Sequence, residues 1–232
     1  MLGALEATWP PAKRFRLGPW VIRNGKGGGK RVSAAATDLP VTDADIEMAE
    51  RQMRSARQTP LFMVTEGQEK LDQLLAAQGY QVVDPSLIFC ADINDLSLPE
   101  IAPLDAIPCA QPLSLMEEIW QQGGIGPARL AVMQRAKGPK TWIFGRANDR
   151  PAGVAFVAID GDIAMLHALE VVPQARRSGA GRRIMARAAI WAAENGARYL
   201  SVVTTGRNLP AQGLFSGIGM QVVGKYHYRT KE

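Results

Sequence analysis

The 232-residue sequence has only two cysteines and two histidines. Neither type occurs at the short paired spacing of a zinc site, so no metal is expected. Cys90 and Cys109 sit in apolar or proline-flanked surroundings and read as reduced thiols, which suits a cytoplasmic protein. No apolar run approaches the ~20 residues of a membrane span. The opening Met1-Leu2-Gly3-Ala4-Leu5-Glu6 has neither a basic start nor a long apolar stretch, and no signal peptide is expected. Aromatic residues are sparse at 6%, and no dense basic stripe accompanies the net charge of +5. A nucleic-acid reader built on stacking platforms is therefore not expected. What is present is a large apolar share, 47%, enough for one large domain or two small ones.

The most informative stretch is Leu169 to Met185. An apolar strand-like run ends at Pro173. A basic turn with Gly179 and Gly181 follows, and a helix-periodic segment then places Ile184, Ala188 and Trp191 on one side. A turn of this kind collects backbone N–H groups at a helix start, where the helix dipole also favours an anion. Glycines let a phosphate approach the main chain. The dinucleotide fingerprint fails, because Ile184 follows where a third glycine is needed, and the P-loop fails for want of Gly-Lys-Ser/Thr. The densest basic cluster, Arg176, Arg177, Arg182, Arg183 and Arg187, lies on this same segment. A polyanionic ligand accounts for it.

What remains, Arg176-x-x-Gly179-x-Gly181 after Val171-Val172-Pro173, resembles the acetyl-CoA pyrophosphate loop of the GNAT N-acetyltransferase superfamily. A second stretch, Asn208-Leu209-Pro210-Ala211-Gln212-Gly213-Leu214-Phe215 running to Gly219-Met220, resembles that superfamily's Asn-x-x-Ala-x-x-Leu-Tyr-x-x-x-Gly-Phe signature. The two stand in the family's order, over about residues 108–228. The resemblance implies an α/β GNAT fold, a mixed twisted sheet flanked by helices, and an acetyl-CoA-dependent transferase acting on an amine. It implies pantetheine pairing on the main chain of Leu169, Val171 and Val172. It places the pyrophosphate on Arg176, Arg177, Ser178, Gly179, Ala180, Gly181 and Arg182, and a pantetheine contact at Asn208. The family's proton-donating tyrosine is replaced here by Phe215, also counted as a cofactor contact. Tyr226 or Tyr228 could supply the proton instead, or the thiol could leave through water; a non-catalytic acyl-CoA-binding or regulatory module is the alternative. Glu170 and His167 are the candidate bases. Being three apart, they face opposite ways in an unbroken strand unless a bulge intervenes.

The first half reads as a strand over 15–22, a glycine-rich turn over 23–31 and a returning strand over 32–36. The turn misses the P-loop spacing, so a hairpin is expected. A helix over 43–57 capped at Thr42 or Asp43, a strand over 61–64, a helix over 70–78 closed by Gly79 and a strand over 80–83 follow. Leu74 to Val83 matches Leu214 to Val223 at five of ten positions without a gap. A tandem arrangement follows, with a degenerate GNAT-like lobe over 1–95 and a catalytic domain over 96–232. The lobe has no phosphate loop and should carry no second cofactor. Prolines from 99 to 108 mark the junction. Two helices, 112–122 and 127–137, are broken apart at Gly123-Gly124. On the first, Glu117, Glu118 and Trp120 are candidates for holding an amine, against the plainer reading of a charged outer face and a core tryptophan.

Overall fold

The computed structural model describes residues 1–231. In chain order the elements are α1 (Leu2–Thr8), β1 (Lys13–Leu17), β2 (Trp20–Asn24), α2 (Asp43–Ser55), β3 (Leu61–Thr65), α3 (Glu69–Ala77), β4 (Gln81–Asp92), β5 (Ala106–Cys109), α4 (Ser114–Gln122), α5 (Pro127–Arg135), β6 (Lys140–Ala147), β7 (Arg150–Asp160), β8 (Ile163–Val171), α6 (Ala180–Glu194), β9 (Tyr199–Thr205), α7 (Leu209–Ser216) and β10 (Gln221–Thr230). Eight strands form one mixed sheet in the order β3-β10-β4-β9-β8-β7-β6-β5. Its strand pairs are antiparallel except β8 with β9.

Local chemistry sets most boundaries. Thr42 and Asp45 close a reciprocal capping box at the start of α2, satisfying two orphan donors. Pro127 opens α5, where its missing N–H costs nothing. The stretch 15–22 is not one strand. Gly18 takes φ +56°, and the chain folds back there as the β1–β2 hairpin. The glycine-rich turn is not a hairpin tip either. It runs into a 3-10 turn at Lys30–Val32, and only Ala36 bridges back to Val21. Its glycines serve close docking on α5. A Cβ on Gly28 would fall 2.5 Å from Val132, and one on Gly27 would fall 3.4 Å from Ala128.

The weak repeat is a structural one. Gln81 pairs with Thr230 at one end of the β4–β10 ladder, and Gln221 pairs with Cys90 at the other. Gln81 and Gln221 are 140 positions apart, as are Cys90 and Thr230, so the ladder has a pseudo-two-fold axis. Both helix ends close alike: Tyr80 N–H donates to Leu75 O and Met220 N–H to Phe215 O, with Gly79 at φ +84° and Gly219 at φ +95°. Each β-α-β unit thus hands its last strand to the other, and β4 lies between β9 and β10. The sheet runs unbroken across residue 95, so segments 1–95 and 96–232 share one sheet.

Two layers cover the sheet. Ala155 and Val157 of β7 pack with Ile184, Met185 and Ala188 of α6. The alternate residues Val154 and Phe156 pack with Met116, Ile119 and Trp120 of α4 and Val132 and Met133 of α5. Burying Phe156 contributes roughly 2–3 kcal/mol. Helix α1 and the 34–36 segment cover Met165, Tyr226 and Tyr228 on this second face.

Candidate active site

The parallel pairing of β8 with β9 runs from Ile163↔Tyr199 to Leu166↔Val202 and stops. Beyond that pair, both strands continue without each other, to Val171 and Thr205. The sheet therefore splays open at its centre. A bulge marks the spot: the β7–β8 register shifts between Val154↔Glu170 and Phe156↔His167, and Ala168 takes φ +52°. Trp120 Nε1 donates to Ala168 O at 2.8 Å and pins the bulge. Val154 and Phe156 face the same layer, so their partners Glu170 and His167 also share that face.

The opening exposes backbone. Val172 N–H donates to Ala152 O of the β7 side, and Val172 O accepts from Ala175. Both main-chain groups of Val172 are therefore already hydrogen-bonded within the protein. Backbone groups alternate along a strand, so those of Leu169 and Val171 point into the splay. Val171 O accepts from Arg176 Nε at 3.2 Å.

The loop beyond it forms as the glycines require. Arg177 at φ +65° and Gly179 at φ +81° are left-handed, and turns of this kind aim successive N–H groups into one concavity. Helix α6 starts at Gly179 with no side-chain cap and no acidic residue in its first turn. Arg183 N–H is the first to bond within the helix, to Gly179 O. The amides of Ala180, Gly181 and Arg182 are left as open donors. A Cβ on Gly181 would lie 3.1 Å from Leu214, so this glycine also sets the approach of α7. The Arg182 side chain donates through Nη2 to Gly217 O at 2.6 Å and ties α6 to α7. Ser178 Oγ donates to Ala175 O within the turn. Asn208 caps α7 by accepting from Ala211 N–H at 3.3 Å, leaving its side-chain amide N–H₂ free. Phe215 is not at the cleft surface. It is 4% exposed, lies 5.7 Å from the Phe89 ring, and occupies the place of the buried Leu75 in the repeat.

Glu170 is half-buried. Its carboxyl lies where a Cβ on Gly123 would be, 2.7 Å away, so the Gly123-Gly124 turn has to be glycine to admit it. Burial raises its pKa, and Arg176, 3.5 Å away, offsets only part of the rise. His167 is a different kind of residue. Thr8 Oγ1 gives its one proton to Ala4 O at 2.6 Å, so it accepts from His167 Nε2 at 2.9 Å. Nδ1 then accepts from Arg31 at 3.3 Å. Burial, with the Arg31 charge beside it, holds the pKa well below the ordinary histidine range. The neutral ring, stacked on Phe156 and tilted against Trp9, has no free nitrogen and cannot serve as the base. Glu117 and Glu118 point outward, while Trp120 is buried.

A cavity of about 230 Å³ opens between the splayed strands on this face. Ala168 and Thr205 come from the two strands, and Tyr226 and Tyr228 from β10. Gly28, Gly29, Lys30 and Arg31 come from the docked turn, and Ile125 and Arg129 from the α4–α5 region. Arg31 lines the cavity together with both tyrosines. Burial, then Tyr226, pushes the Tyr228 phenol well above its ordinary value. Lys30, Arg31 and Arg129 fall outside both signature stretches; in the sequence only the glycine-rich turn marks the first two, and nothing marks Arg129.

The splayed parallel pair, the bulge and the uncapped basic helix start thus stand together at the centre of the mixed sheet. Residues 111–220 match the family described as Acetyltransferase (GNAT) family, and the chain carries a GNAT-family domain. It is 25% identical to "Uncharacterized N-acetyltransferase YobR" of Bacillus subtilis (strain 168), over 97% of this chain and 95% of that protein. Among solved structures, a GCN5-related N-acetyltransferase from Kribbella flavida superposes with a TM-score of 0.73 at 16% identity, covering 99% of this chain and 93% of that one. A tandem GNAT protein from the clavulanic acid biosynthesis pathway gives 0.62 at 15% identity, covering 97% and 85%. Among the described residues no helix is long and apolar enough to cross a membrane, and no cluster of three metal-ligating side chains occurs.

Proposed function

We propose that this protein moves an acetyl group from acetyl-CoA to a small amine by direct transfer. The observation that carries the reading is the β8/β9 splay ending beside an uncapped helix start. Open amides of residues 180–182 would take the pyrophosphate. The main chain of Leu169 and Val171 would pair with the pantetheine arm as with an added strand, and Asn208 has an amide free to join it. The acceptor enters from the opposite face, through the 230 Å³ cavity. Glu170 takes the amine proton through a water. Its raised pKa brings it toward the range where a carboxylate is an effective base near neutrality. The amine nitrogen then bonds the thioester carbon, the C–S bond breaks, and the thiolate takes a proton. Tyr226 or Tyr228, which both line the cavity, supplies that proton.

We also read 1–95 as a degenerate GNAT-like half and 96–232 as the catalytic one. Helix α2 stands where α6 stands in the repeat, but Thr42, Asp43 and Asp45 occupy its first turn. Carboxylates there fill the donors and repel a phosphate. One acetyl-CoA per chain is the consequence, in a reducing cytoplasmic setting that suits the two free cysteines. Thiol release measured against an amine library, with calorimetric stoichiometry, tests both statements. Tight acetyl-CoA binding without turnover on any amine would shift the reading to a non-catalytic acyl-CoA-binding module.

A further inference from the structure

The acceptor cavity carries an excess of positive charge that no ion pair among the described residues neutralises. Its ionised lining groups are Lys30, Arg31, Arg129 and Asp84. Asp84 is already shared between Lys30 at 2.7 Å and Arg207 at 3.1 Å. Among the described residues, no carboxylate pairs with Arg31 or Arg129. Arg31 keeps its Nε buried without a hydrogen-bond partner, and an unmade buried donor is costly. Its other neighbours are neutral: the His167 ring, bonded at 3.3 Å, and the two phenols that line the cavity with it. The Arg129 guanidinium is laid over Gly29, whose Cβ would meet Nε at 3.5 Å. Gly29 itself holds φ +99°, a conformation that keeps a side chain off the guanidinium. The turn thus spends three glycines on bringing Lys30 and Arg31 beside Arg129.

Two unpaired guanidiniums at one cavity select an oxyanion. Arg31 is half-buried and Arg129 is exposed at the rim; their fixed forks match carboxylate and phosphate geometry, and uncompensated charge lining a cleft attracts anions. The cavity is smaller than the ~300–1,000 Å³ of drug-sized pockets, which restricts the ligand to a small molecule. We infer that the acceptor is a small amine that also bears an oxyanion, held by Arg129 and Arg31 so that its amino group faces the splay. This rests on the acetyltransferase reading above. It adds a substrate class: the α-amino acid type if the oxyanion is a carboxylate, an amino-alkyl phosphate if it is a phosphate.

The test uses matched amines with acetyl-CoA and the full chain. L-Lysine is set against lysinamide and cadaverine, L-methionine against methioninamide, and phosphoethanolamine against ethanolamine. Thiol release should favour the oxyanion member of at least one pair by ~10-fold or more in kcat/KM, the worth of one charge-assisted hydrogen bond. Whether the carboxylate or the phosphate pair shows it identifies the oxyanion. Arg129→Met should raise KM for that member by a similar ~10-fold while the acetyl-CoA KM stays put, and Arg129→Lys should recover part of the loss. Turnover that prefers the neutral members, or a preference untouched by Arg129→Met, overturns the inference and leaves the acetyltransferase reading standing. If no amine turns over, thermal shift with the same compounds decides. Oxyanion-selective stabilisation lost in Arg129→Met supports the site, and equal shifts in both proteins refute it.

Discussion

Gly179→Glu separates charge from geometry at the phosphate loop. Residue 179 sits at φ +81°, and an added Cβ would lie 3.2 Å from Arg183 Nη1. Any side chain there incurs left-handed strain of roughly 1–2 kcal/mol. A carboxylate adds repulsion. At ~4 Å from a phosphate and an effective dielectric near 20, one charge pair repels by about 4 kcal/mol. Screening at this exposed turn leaves about half of that, or ~30-fold in Kd. Gly179→Ala carries only the strain. Free and bound protein share it, so it lowers Tm by about 2–4 °C per kcal/mol with little change in Kd. Titration calorimetry with acetyl-CoA should show at least ~30-fold weakening for Glu, under ~3-fold for Ala, and a gap that narrows as salt rises. A Glu variant with native circular dichroism and wild-type affinity would defeat the loop assignment.

Three further outcomes are expected. Glu170→Gln should lower kcat by ~10²–10⁴-fold, and Gly123→Val should do likewise by displacing the carboxyl; since burial raises the Glu170 pKa, kcat/KM in the wild type should climb with pH through that raised value, and a flat pH–rate profile would refute the base. Burial alone would raise the Glu50 pKa, but hydrogen bonds from Tyr80, Lys231 and Arg54 outweigh it and lower it to about 2. This stability is present above the unfolded pKa near ~4.3 and is lost as pH falls toward the folded value, so Glu50→Gln should cost roughly 2–3 kcal/mol at pH 7 and almost nothing near pH 2 in denaturant titrations. Phe215→Leu should cost ~1–2 kcal/mol of stability and leave the pH–rate profile unchanged, whereas Tyr→Phe at 226 or at 228 should lower kcat; equal kcat in wild type and in both tyrosine variants would return the leaving thiolate to water.

The sequence alone determined what depends on neighbours along the chain. Arg176-x-x-Gly179-x-Gly181 marked the loop because a left-handed step and an uncapped helix start are properties of a few consecutive residues. Asn208 was legible as part of the second motif, Thr42 as a cap and Gly79 as a stop, for the same reason. The five matches between Leu74–Val83 and Leu214–Val223 disclosed the repeat. They could not disclose that the two units exchange strands, because pairing of β4 with β10 joins residues more than a hundred positions apart. Tertiary packing decided the rest. The bulge at Ala168 turned Glu170 and His167 to one face, and only the distant Thr8 and Arg31 fixed His167 as a neutral, fully bonded ring. Phe215 holds a tyrosine's place in the motif, yet the core around Phe89 claims it. The cavity draws Lys30 and Arg31, Arg129, and Tyr226 from three separate stretches. No local spacing records that meeting, because it follows from where the sheet and α5 bring the glycine turn.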